Sequence, residues 1–343
     1  MNTKILVTGG AGFIGSHTCV ALLDAGHDVV VLDNLCNSSA SVIERVGQIC
    51  QREPVFVEGD IRDRALLDNL FDEHEFTAVV HFAGLKAVGE SVEKPLDYYD
   101  NNVSGTLVLL QAMQAAGVKT LVFSSSATVY GDPASTPISE DFQRAATNPY
   151  GNTKLVIEDI LADLHRSEPD WRIARLRYFN PIGAHKSGLI GENPKGIPNN
   201  LMPYLLQTVA GLRDELSVFG NDYDTPDGTG IRDYIHVVDL ANGHVAALNR
   251  LQNKQELLTV NLGTGNGVSV LEMISAFEEV NGCRIPFKIT ARRAGDIAKC
   301  WADTRLAEEL LGWQAEHTLA DMCRDSWLWQ KNLSLKDTSG NPT

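Results

Sequence analysis

Short apolar runs alternate with helical patterns in the first half of the chain. Five runs rich in β-branched residues each end in small or polar residues: KILVTGG, DVVVLDN, PVFVEGD, AVVHFAG and TLVFSSS. Such runs are typical of buried parallel strands. Segments with helical periodicity and a closing glycine lie between them, such as IGSHTCVALLDAG and NVSGTLVLLQAMQAAG. The alternation predicts an α/β fold with a Rossmann-type, doubly wound parallel sheet, which binds ligands at the carboxyl ends of its strands.

The pattern changes after WRIARLRYFN, where loops rich in Gly, Pro and Asn appear, such as GLIGENPKGIPNN and GNDYDTPDGTGIRD. We predict a dinucleotide-binding domain over residues 1–180 and a smaller C-terminal α/β region over 181–335 that binds the substrate, because loops usually carry the variable chemistry. The chain is expected to return to the first domain around 232–262. The polar stretch 336–343 is expected to be a frayed tail.

Composition narrows the possible partners. The chain has 343 residues and a formal net charge of −15, and no block of Lys or Arg stands out. Nucleic acid and anionic membranes are therefore unfavourable partners, and an anionic ligand needs a few local cations. No stretch approaches the length of a membrane span. The six cysteines form no C-x-x-C pair, which indicates reduced thiols in a cytoplasmic protein, and no motif predicts a metal site.

The stretch VTGGAGFIGSH lies between the first predicted strand and the first predicted helix. Gly9, Gly12 and Gly15 recur there at three-residue spacing. Glycines in this position permit a tight turn and a close approach of a pyrophosphate to the helix N-terminus. The turn therefore predicts a dinucleotide site, although glycine-rich turns also occur for steric reasons alone.

Two aspartates end predicted strands at the same edge of the sheet. Asp33 ends VVVLDN, at the distance where a carboxylate accepts both hydroxyls of an adenosine ribose. It would repel a 2′-phosphate, which favours NAD over NADP. A helix or turn cap is the alternative role. Asp60 ends VFVEGD in the same way and is expected either to contact the adenine or to be a turn residue only.

The segment NPYGNTKLVIED holds a tyrosine and a lysine four residues apart. Asn148 is a plausible N-cap and Pro149 fits the first helical turn, so Tyr150 and Lys154 lie on one face of the predicted helix. A neighbouring positive charge lowers the pKa of a phenol, so this pair could act as a general base. A surface helix with one Tyr and one Lys is the alternative. The fifth predicted strand ends in SSSATVYG, whose hydroxyls either serve this site or are turn residues.

Together these motifs resemble a known family. The series TGGAGFIG, FAG, NNVSGT, SSSATVYG and Y-x-x-x-K is typical of extended short-chain dehydrogenase/reductases. More narrowly, four segments resemble the UDP-glucose 4-epimerase family: HFAGLKAVGESVEKPLDYYDNNVSGT, LRYFNPIGAH, GIPNNLMPY and GTGIRDYIHVVDLA. The resemblance runs over essentially all of residues 3–330. The first set is shared by many enzymes, whereas the second is specific.

The resemblance implies site residues, a bound NAD, and a homodimer. Tyr150 would be the base, Lys154 its partner that also bonds the nicotinamide ribose, and Ser126 the hydroxyl that bridges the sugar O4 and the tyrosine. Together with these three, the residues implied in cofactor binding are Gly9, Gly12, Phe13, Ile14, Gly15, Asp33, Asn34, Asn37, Asp60, Ile61, Phe82, Ala83, Gly84, Lys86, Asn101 and Phe179. With Ser126 and Tyr150, those implied in UDP-sugar binding are Asn180, Asn200, Leu201, Phe219, Arg232, Arg293, Asp296 and Cys300. For any single arginine, a surface ion pair is the alternative explanation.

The implied reaction interconverts UDP-glucose and UDP-galactose by transient oxidation at C4, with hydride returned to the opposite face of the sugar. Two alternatives remain. A nucleotide-sugar 4,6-dehydratase shares the fold but carries an Asp-Glu pair after the catalytic hydroxyl, where this chain has Ala127 and Thr128. A non-catalytic dinucleotide sensor would need no tyrosine base.

Position 300 bears on the range of substrates. Members restricted to glucose and galactose tend to carry a tyrosine where this chain has Cys300. A small residue leaves room for the acetamido group of N-acetylated sugars, so UDP-N-acetylglucosamine and UDP-N-acetylgalactosamine are expected substrates as well. Alternatively, a neighbour such as Lys299 or Trp301 fills the gap.

Overall fold

The computed structural model describes residues 3–293 and 295–339, with side chains up to residue 334. The strands are β1 (Lys4–Thr8), β2 (Asp28–Asp33), β3 (Val55–Glu58), β4 (Phe76–His81), β5 (Thr120–Ser126), β6 (Arg172–Tyr178), β7 (Asn180–Ile182), β8 (Leu216–Phe219), β9 (Ile231–His236), β10 (Leu257–Leu262), β11 (Gly267–Ser269), β12 (Phe287–Thr290) and β13 (Lys299–Cys300). The α-helices are α1 (Phe13–Asp24), α2 (Ser41–Cys50), α3 (Arg64–Glu73), α4 (Val88–Glu93), α5 (Pro95–Tyr98), α6 (Gly105–Ala115), α7 (Pro149–Ser167), α8 (Leu201–Val209), α9 (Val237–Asn253), α10 (Val270–Asn281), α11 (Arg305–Leu311) and α12 (Leu319–Ser339). A π-helical turn covers Tyr99–Ser104 and a 3-10 turn covers Ala127–Tyr130.

Seven strands form a parallel sheet in the order β10-β6-β5-β4-β1-β2-β3. Successive side chains of a strand point to opposite faces. Accordingly, Ile5 and Val7 of β1 join one buried cluster with α1, α2 and α9, while Leu6 joins a second cluster with α3, α6 and α7. The predicted Rossmann-type, doubly wound α/β fold is confirmed. The strand order reverses between β1 and β4, and a ligand crevice is expected at such a point.

Four of the five strands predicted from apolar runs are buried as expected, and β3 differs. It forms the edge of the sheet, and the side chain of Val55 is 50% exposed. The prediction of burial is wrong for this strand because only β2 lies beside it. An apolar run alone does not distinguish an edge strand from a central one.

The second half of the chain contributes to both parts of the molecule. A four-stranded sheet of β7, β9, β11 and β13 and a parallel pair of β8 and β12 lie outside the main sheet. A third buried cluster joins them to α8, α10 and α12. The chain then returns to the main sheet, since β10 pairs with β6 and α9 packs against α1. Within the range 232–262, β9 belongs to the smaller sheet and β10 to the larger.

The C-terminal helix α12 runs through Ser339, so the backbone of 336–339 is helical, and residues 340–343 of the predicted tail lie outside the described residues. None of the helices in the described ranges combines the length and the apolar content that crossing a bilayer requires. Among the same residues, no group of three or more His, Cys, Asp and Glu side chains could hold a metal ion.

Candidate active site

The glycine turn joins β1 to α1 at the reversal point of the sheet. Gly9 has φ +72°, and a Cβ there would lie 2.6 Å from the backbone nitrogen of Ala83. A Cβ on Gly15 would lie 2.3 Å from the carbonyl oxygen of Gly9. Both glycines are therefore required by the packing of the turn. Gly12 is the N-cap of α1, so the first N–H groups of Phe13 and Ile14 face outward from the turn as anion donors.

Asp33 ties the glycine turn to the loop after β2. Its carboxylate accepts hydrogen bonds from the N–H of Ala11 at 3.0 Å, from the N–H of Leu35 at 2.9 Å and from the hydroxyl of Ser38 at 2.9 Å. The capping role considered from the sequence is thus present. A carboxylate has about four acceptor positions, so one remains for a ligand hydroxyl beside the turn.

Asp60 and Asn34 lie together after β3 and β2. The carboxylate of Asp60 accepts from the amide of Asn34 at 3.0 Å and from the Arg62 guanidinium at 2.7 Å. The Arg62 hydrogen bonds hold the pKa of Asp60 well below its usual range. The next residue, Ile61, is buried against Gly105 of α6. Asp60 therefore orders this turn, whichever ligand it contacts.

The end of β4 is held by a residue that the sequence analysis missed. The amide of Asn102 accepts from the N–H of Leu85 at 2.8 Å and donates to the carbonyl of Leu85 and the hydroxyl of Thr153 on α7, each at 3.0 Å. Asn101, the residue named from the sequence, donates to Asn102 at 2.9 Å. Both lie in the π-helical turn, a type of element that is frequent at functional sites. The link fixes the segment after Phe82, Ala83 and Gly84 against the helix of Tyr150.

Helix α7 presents Tyr150 and Lys154 on one buried face. It begins as predicted, with the Asn148 side chain accepting from the N–H of Gly151 at 2.9 Å and Pro149 in the first turn. The ammonium of Lys154 donates to the carbonyl of Ser124, at the end of β5, at 2.7 Å. The same ammonium lies 6.0 Å from the centre of the Tyr150 ring. The alternative of an exposed surface pair is excluded by this burial.

Ser126 lies near the phenol of Tyr150, and its side chain acts to lower the pKa of that phenol. The Ser126 oxygen accepts from the N–H and the hydroxyl of Thr128, at 3.2 and 3.0 Å. Its own proton is therefore directed away from Thr128 and is available to Tyr150 or to a ligand oxygen.

Burial raises the pKa of Tyr150, and the Ser126 hydrogen bond and the charge of Lys86 oppose this effect. The lowered value expected from the Tyr-Lys spacing is thus wrong for the chain by itself, because desolvation of the phenolate outweighs the nearby cations. Burial also lowers the pKa of Lys154 to about 8, while the carboxylate of Glu158 raises it. Lys154 is still largely charged at pH 7.

The loop GLIGENPKGIPNN connects the two predicted binding regions through Glu192 and Lys195, which are not among the residues predicted for the site. The carboxylate of Glu192 accepts from the Lys86 ammonium at 2.9 Å and from the Asn200 amide at 3.3 Å. Three residues on, Lys195 donates through its ammonium to the carbonyl of Leu35 at 2.8 Å, and its N–H donates to the side chain of Asn37 at 3.3 Å. The loop thus connects the residues after β2 to those before α8.

Several residues implied in UDP-sugar binding fall into two groups, one around Arg293 and one around Cys300. In the first, the Arg293 guanidinium lies 5.5 Å from the centre of the Phe219 ring and pairs with Asp296 at 3.0 Å. Arg232 and Cys300 face each other in register on β9 and β13. Cys300 also packs in a cluster with Phe179 and with residues that follow Ser126, while Asn180 begins β7 and Leu201 begins α8. The surface ion pair considered for Arg293 is present, whereas Arg232 donates to the carbonyl of Ile231 at 2.9 Å.

Comparison with known proteins identifies the family. The model of the NAD dependent epimerase/dehydratase family matches residues 5–263. A UDP-glucose 4-epimerase of Bacillus subtilis is 60% identical over 328 residues, which cover 96% of this chain and 97% of that protein. The chain belongs to the UDP-glucose 4-epimerase family.

Solved UDP-glucose 4-epimerases share the architecture closely. The enzyme of Stenotrophomonas maltophila, solved with bound NAD and formylated UDP-arabinopyranose, has a TM-score of 0.96 and 57% identity, covering 98% of this chain and 100% of the other. The enzyme of Bifidobacterium longum, in complex with NAD+ and UDP, has a TM-score of 0.93 and 55% identity, covering 96% and 98%. The resemblance drawn from the sequence motifs, including the assignment as an enzyme, is confirmed.

Proposed function

We propose that this chain is an NAD-dependent UDP-glucose/UDP-galactose 4-epimerase that works by transient oxidation of the hexose at C4. The observation that carries the proposal is the buried group of Ser126, Tyr150 and Lys154 at the end of β5, on the sheet edge that also bears the glycine turn. Family membership at 60% identity to a UDP-glucose 4-epimerase supports it.

The site suits a dinucleotide in shape and in charge. Gly12 leaves its backbone open at the N-terminus of α1, where the pyrophosphate would bind. Asp33 would accept from the adenosine ribose and repel a 2′-phosphate, which favours NAD. Lys154 would bond the nicotinamide ribose, and Lys86 lies close enough for its charge to act on Tyr150.

The C4 hydrogen of a hexose is not acidic, so inversion there requires oxidation. When bound, NAD+ supplies the acceptor that takes hydride from C4 and returns it to the other face of the 4-ketose. Tyr150, as phenolate, accepts the O4 proton and later gives it back. Ser126 aligns O4 with the phenol by donating a hydrogen bond from its hydroxyl group to O4. Lys154, whose ammonium lies 6.0 Å from the centre of the Tyr150 ring, would stabilise the phenolate together with Lys86, and their charges must offset the burial that disfavours it.

The UDP group must stay bound while the ketose turns over. Arg232 and Arg293 offer guanidinium groups for the diphosphate in a protein of net charge −15. Asn180 and Asn200 add amide groups, and Phe219 offers a ring face beside Arg293. Firm contacts to the nucleotide and few to the hexose allow the sugar to present either face to the same base.

The proposal extends to assembly and location. A homodimer is supported by exposed apolar side chains on consecutive helices, namely Val92, Leu96 and Leu107, of which Leu96 is 80% exposed. A cytoplasmic location is supported by the six cysteines, all of which are free thiols.

A coupled assay tests the reaction directly. Purified protein is incubated with UDP-galactose alone, the reaction is stopped by heat, and the UDP-glucose formed is then measured with a UDP-glucose dehydrogenase and its own NAD+. We expect conversion without added cofactor, since NAD+ is regenerated in each cycle, and dinucleotide in the supernatant after denaturation. Failure to convert in the presence of added NAD+ would refute the proposal, and a 4-keto-6-deoxy product would identify a dehydratase instead.

A further inference from the structure

Glu158 is a buried carboxylate that the proposed mechanism does not use. It follows Tyr150 and Lys154 at intervals of four residues along α7, so the three lie on one face. Its side chain is fully buried. A charge in such a place needs partners, because an unpaired buried carboxylate is costly.

The partners of Glu158 come from two neighbouring strands of the sheet, β5 and β6. One carboxylate oxygen accepts from the Ser125 hydroxyl at 2.6 Å and from Nε of Arg177 at 2.8 Å. The other accepts from Nη2 of Arg177 at 2.6 Å. Arg177 continues the network to the hydroxyl of Tyr130 at 3.0 Å, which donates to Asn261 on β10 at 2.7 Å. The network joins α7 to β5, β6 and β10.

Ser125 stands between two residues of the active site. The carbonyl of Ser124 accepts from Lys154 at 2.7 Å, and Ser126 lies near enough to Tyr150 to act on the pKa of its phenol. A bond from Ser125 to Glu158 therefore anchors the end of β5 to α7 between these two contacts. Displacement of a reacting group by about 1 Å is enough to cost about 100-fold in rate.

The charge of Glu158 acts on the same lysine. Lys154 is surrounded by Phe123 on β5, His81 on β4, and Tyr150 and Glu158 on its own helix, and Glu158 is the carboxylate among them. The cations that face Glu158 are Arg177, Arg175 and Arg144. They keep Glu158 ionised, since their hydrogen bonds and charge lower its pKa against the effect of burial.

We propose that Glu158 is a positioning residue for catalysis, which fixes the end of β5 against α7 and holds a negative charge one helical turn from Lys154. The inference rests on the proposed function. It assigns two separable effects to Glu158. The hydrogen bond from Ser125 fixes the position of the end of β5, and the negative charge favours the protonated form of Lys154.

Two substitutions separate these effects. Glu158→Gln keeps a group that can accept from Ser125 and removes the charge, so Lys154 loses its proton more readily. We expect the alkaline limb of the pH profile of kcat to move to lower pH by about one unit. Ser125→Ala keeps the charge of Glu158 and removes the hydrogen bond between β5 and α7. We therefore expect kcat to fall about tenfold, while the alkaline limb of its pH profile stays at the wild-type pH.

Matched controls come from outside the site. Asp239→Asn removes the charge of another nearly buried helix carboxylate, whose partners are the backbone N–H of Glu316 and the ring of His317. Ser326→Ala removes another buried hydroxyl, which accepts from Gly183. Thermal melts of all four variants report folding. Neither control should move the pH limb or lower kcat of the folded enzyme.

The outcomes are distinct. Wild-type kcat and an unmoved limb in folded Glu158→Gln, with full activity in Ser125→Ala, would overturn the inference and leave the proposed function intact. If Glu158→Gln does not fold, because Arg177 is left unpaired, Ser125→Ala decides: loss of kcat supports the inference and full activity overturns it. Failure of the proposed function would appear separately, as wild-type protein that does not convert UDP-galactose.

Discussion

The residues proposed for proton transfer and those proposed to bind UDP are held in the molecule in different ways. Tyr150 and Lys154 are 8% and 5% exposed, and a hydrogen bond to the carbonyl of Ser124 on β5 fixes Lys154. Phe219 is 43% exposed, and Arg293 pairs with Asp296, three residues away in sequence. The proposed proton-transfer groups are thus pre-set by the fold, whereas the proposed UDP contacts are made by local, solvent-exposed neighbours.

The difference follows from what each group has to do. Proton transfer depends on geometry at the scale of a hydrogen bond, which a buried network supplies. Binding a diphosphate requires cations that can change partners. An exposed ion pair is worth about 0–1 kcal/mol, so exchanging the Asp296 carboxylate for a phosphate costs Arg293 little. The buried residues Tyr150 and Lys154, the rigid part, are expected to set kcat. The exposed residues Phe219 and Arg293, the exposed part, are expected to set KM.

Tyr150→Phe is the strongest test of the rigid part. Without the phenol oxygen no group accepts the O4 proton, so we expect kcat to fall by about 10²–10⁴-fold, while the protein still carries NAD. The coupled assay gives kcat, and dinucleotide released on denaturation gives occupancy. Tyr99→Phe, at an exposed tyrosine, is the matched control and should be neutral. Turnover near the wild-type rate would show that another group is the base.

The rigid part is also the part that sequence patterns describe best. The glycine turn, the strands that end at the site and the cap of α7 at Asn148 are all local features, set by residues within a few positions of one another. Rules based on neighbouring residues can therefore predict these features. The same rules give the wrong sign for the pKa of Tyr150, because its burial depends on the packing of the whole chain and not on the spacing to Lys154.

Contacts between distant segments could not be predicted in this way. Lys86 meets Glu192 across 106 positions and Lys195 meets Leu35 across 160. Local patterns predict neither contact, since a single charge in a loop is usually solvated. Asn102 could have been found beside Asn101 in NNVSGT, but only the fold shows which of the two amides points inward.

Arg293→Ala tests the exposed part. Loss of a hydrogen-bonding charge from the proposed diphosphate site removes about 1.5–3 kcal/mol, so KM for UDP-galactose should rise about 10–100-fold with kcat little changed. Arg292→Ala is a close control, because Arg292 is similarly exposed but pairs with Asp222 and stacks on Tyr223. Initial rates over a range of UDP-galactose separate the two constants. Equal effects of the two substitutions would argue against a specific role for Arg293.

Cys300 lies at the boundary of the two parts, and its effect should be confined to the sugar. It packs with Phe179 and faces Arg232 across β13 and β9. The two neighbours that could fill the space left by a small residue are engaged elsewhere: Lys299 pairs with Asp224 at 3.5 Å, and the Trp301 ring packs against Gly267. The space beside Cys300 is therefore expected to admit the acetamido group of an N-acetylated sugar.

We expect wild-type protein to interconvert UDP-N-acetylglucosamine and UDP-N-acetylgalactosamine, as followed by chromatography of the two sugars. A tyrosine ring in place of Cys300 would occupy the space through which the acetamido group turns, so Cys300→Tyr should lower this activity about tenfold or more and change the glucose/galactose reaction only a few-fold. Cys300→Ser keeps the volume small and should retain both activities. If wild-type protein converts UDP-galactose well but leaves both N-acetylated sugars unchanged, another side chain closes the space, and the specificity does not depend on position 300.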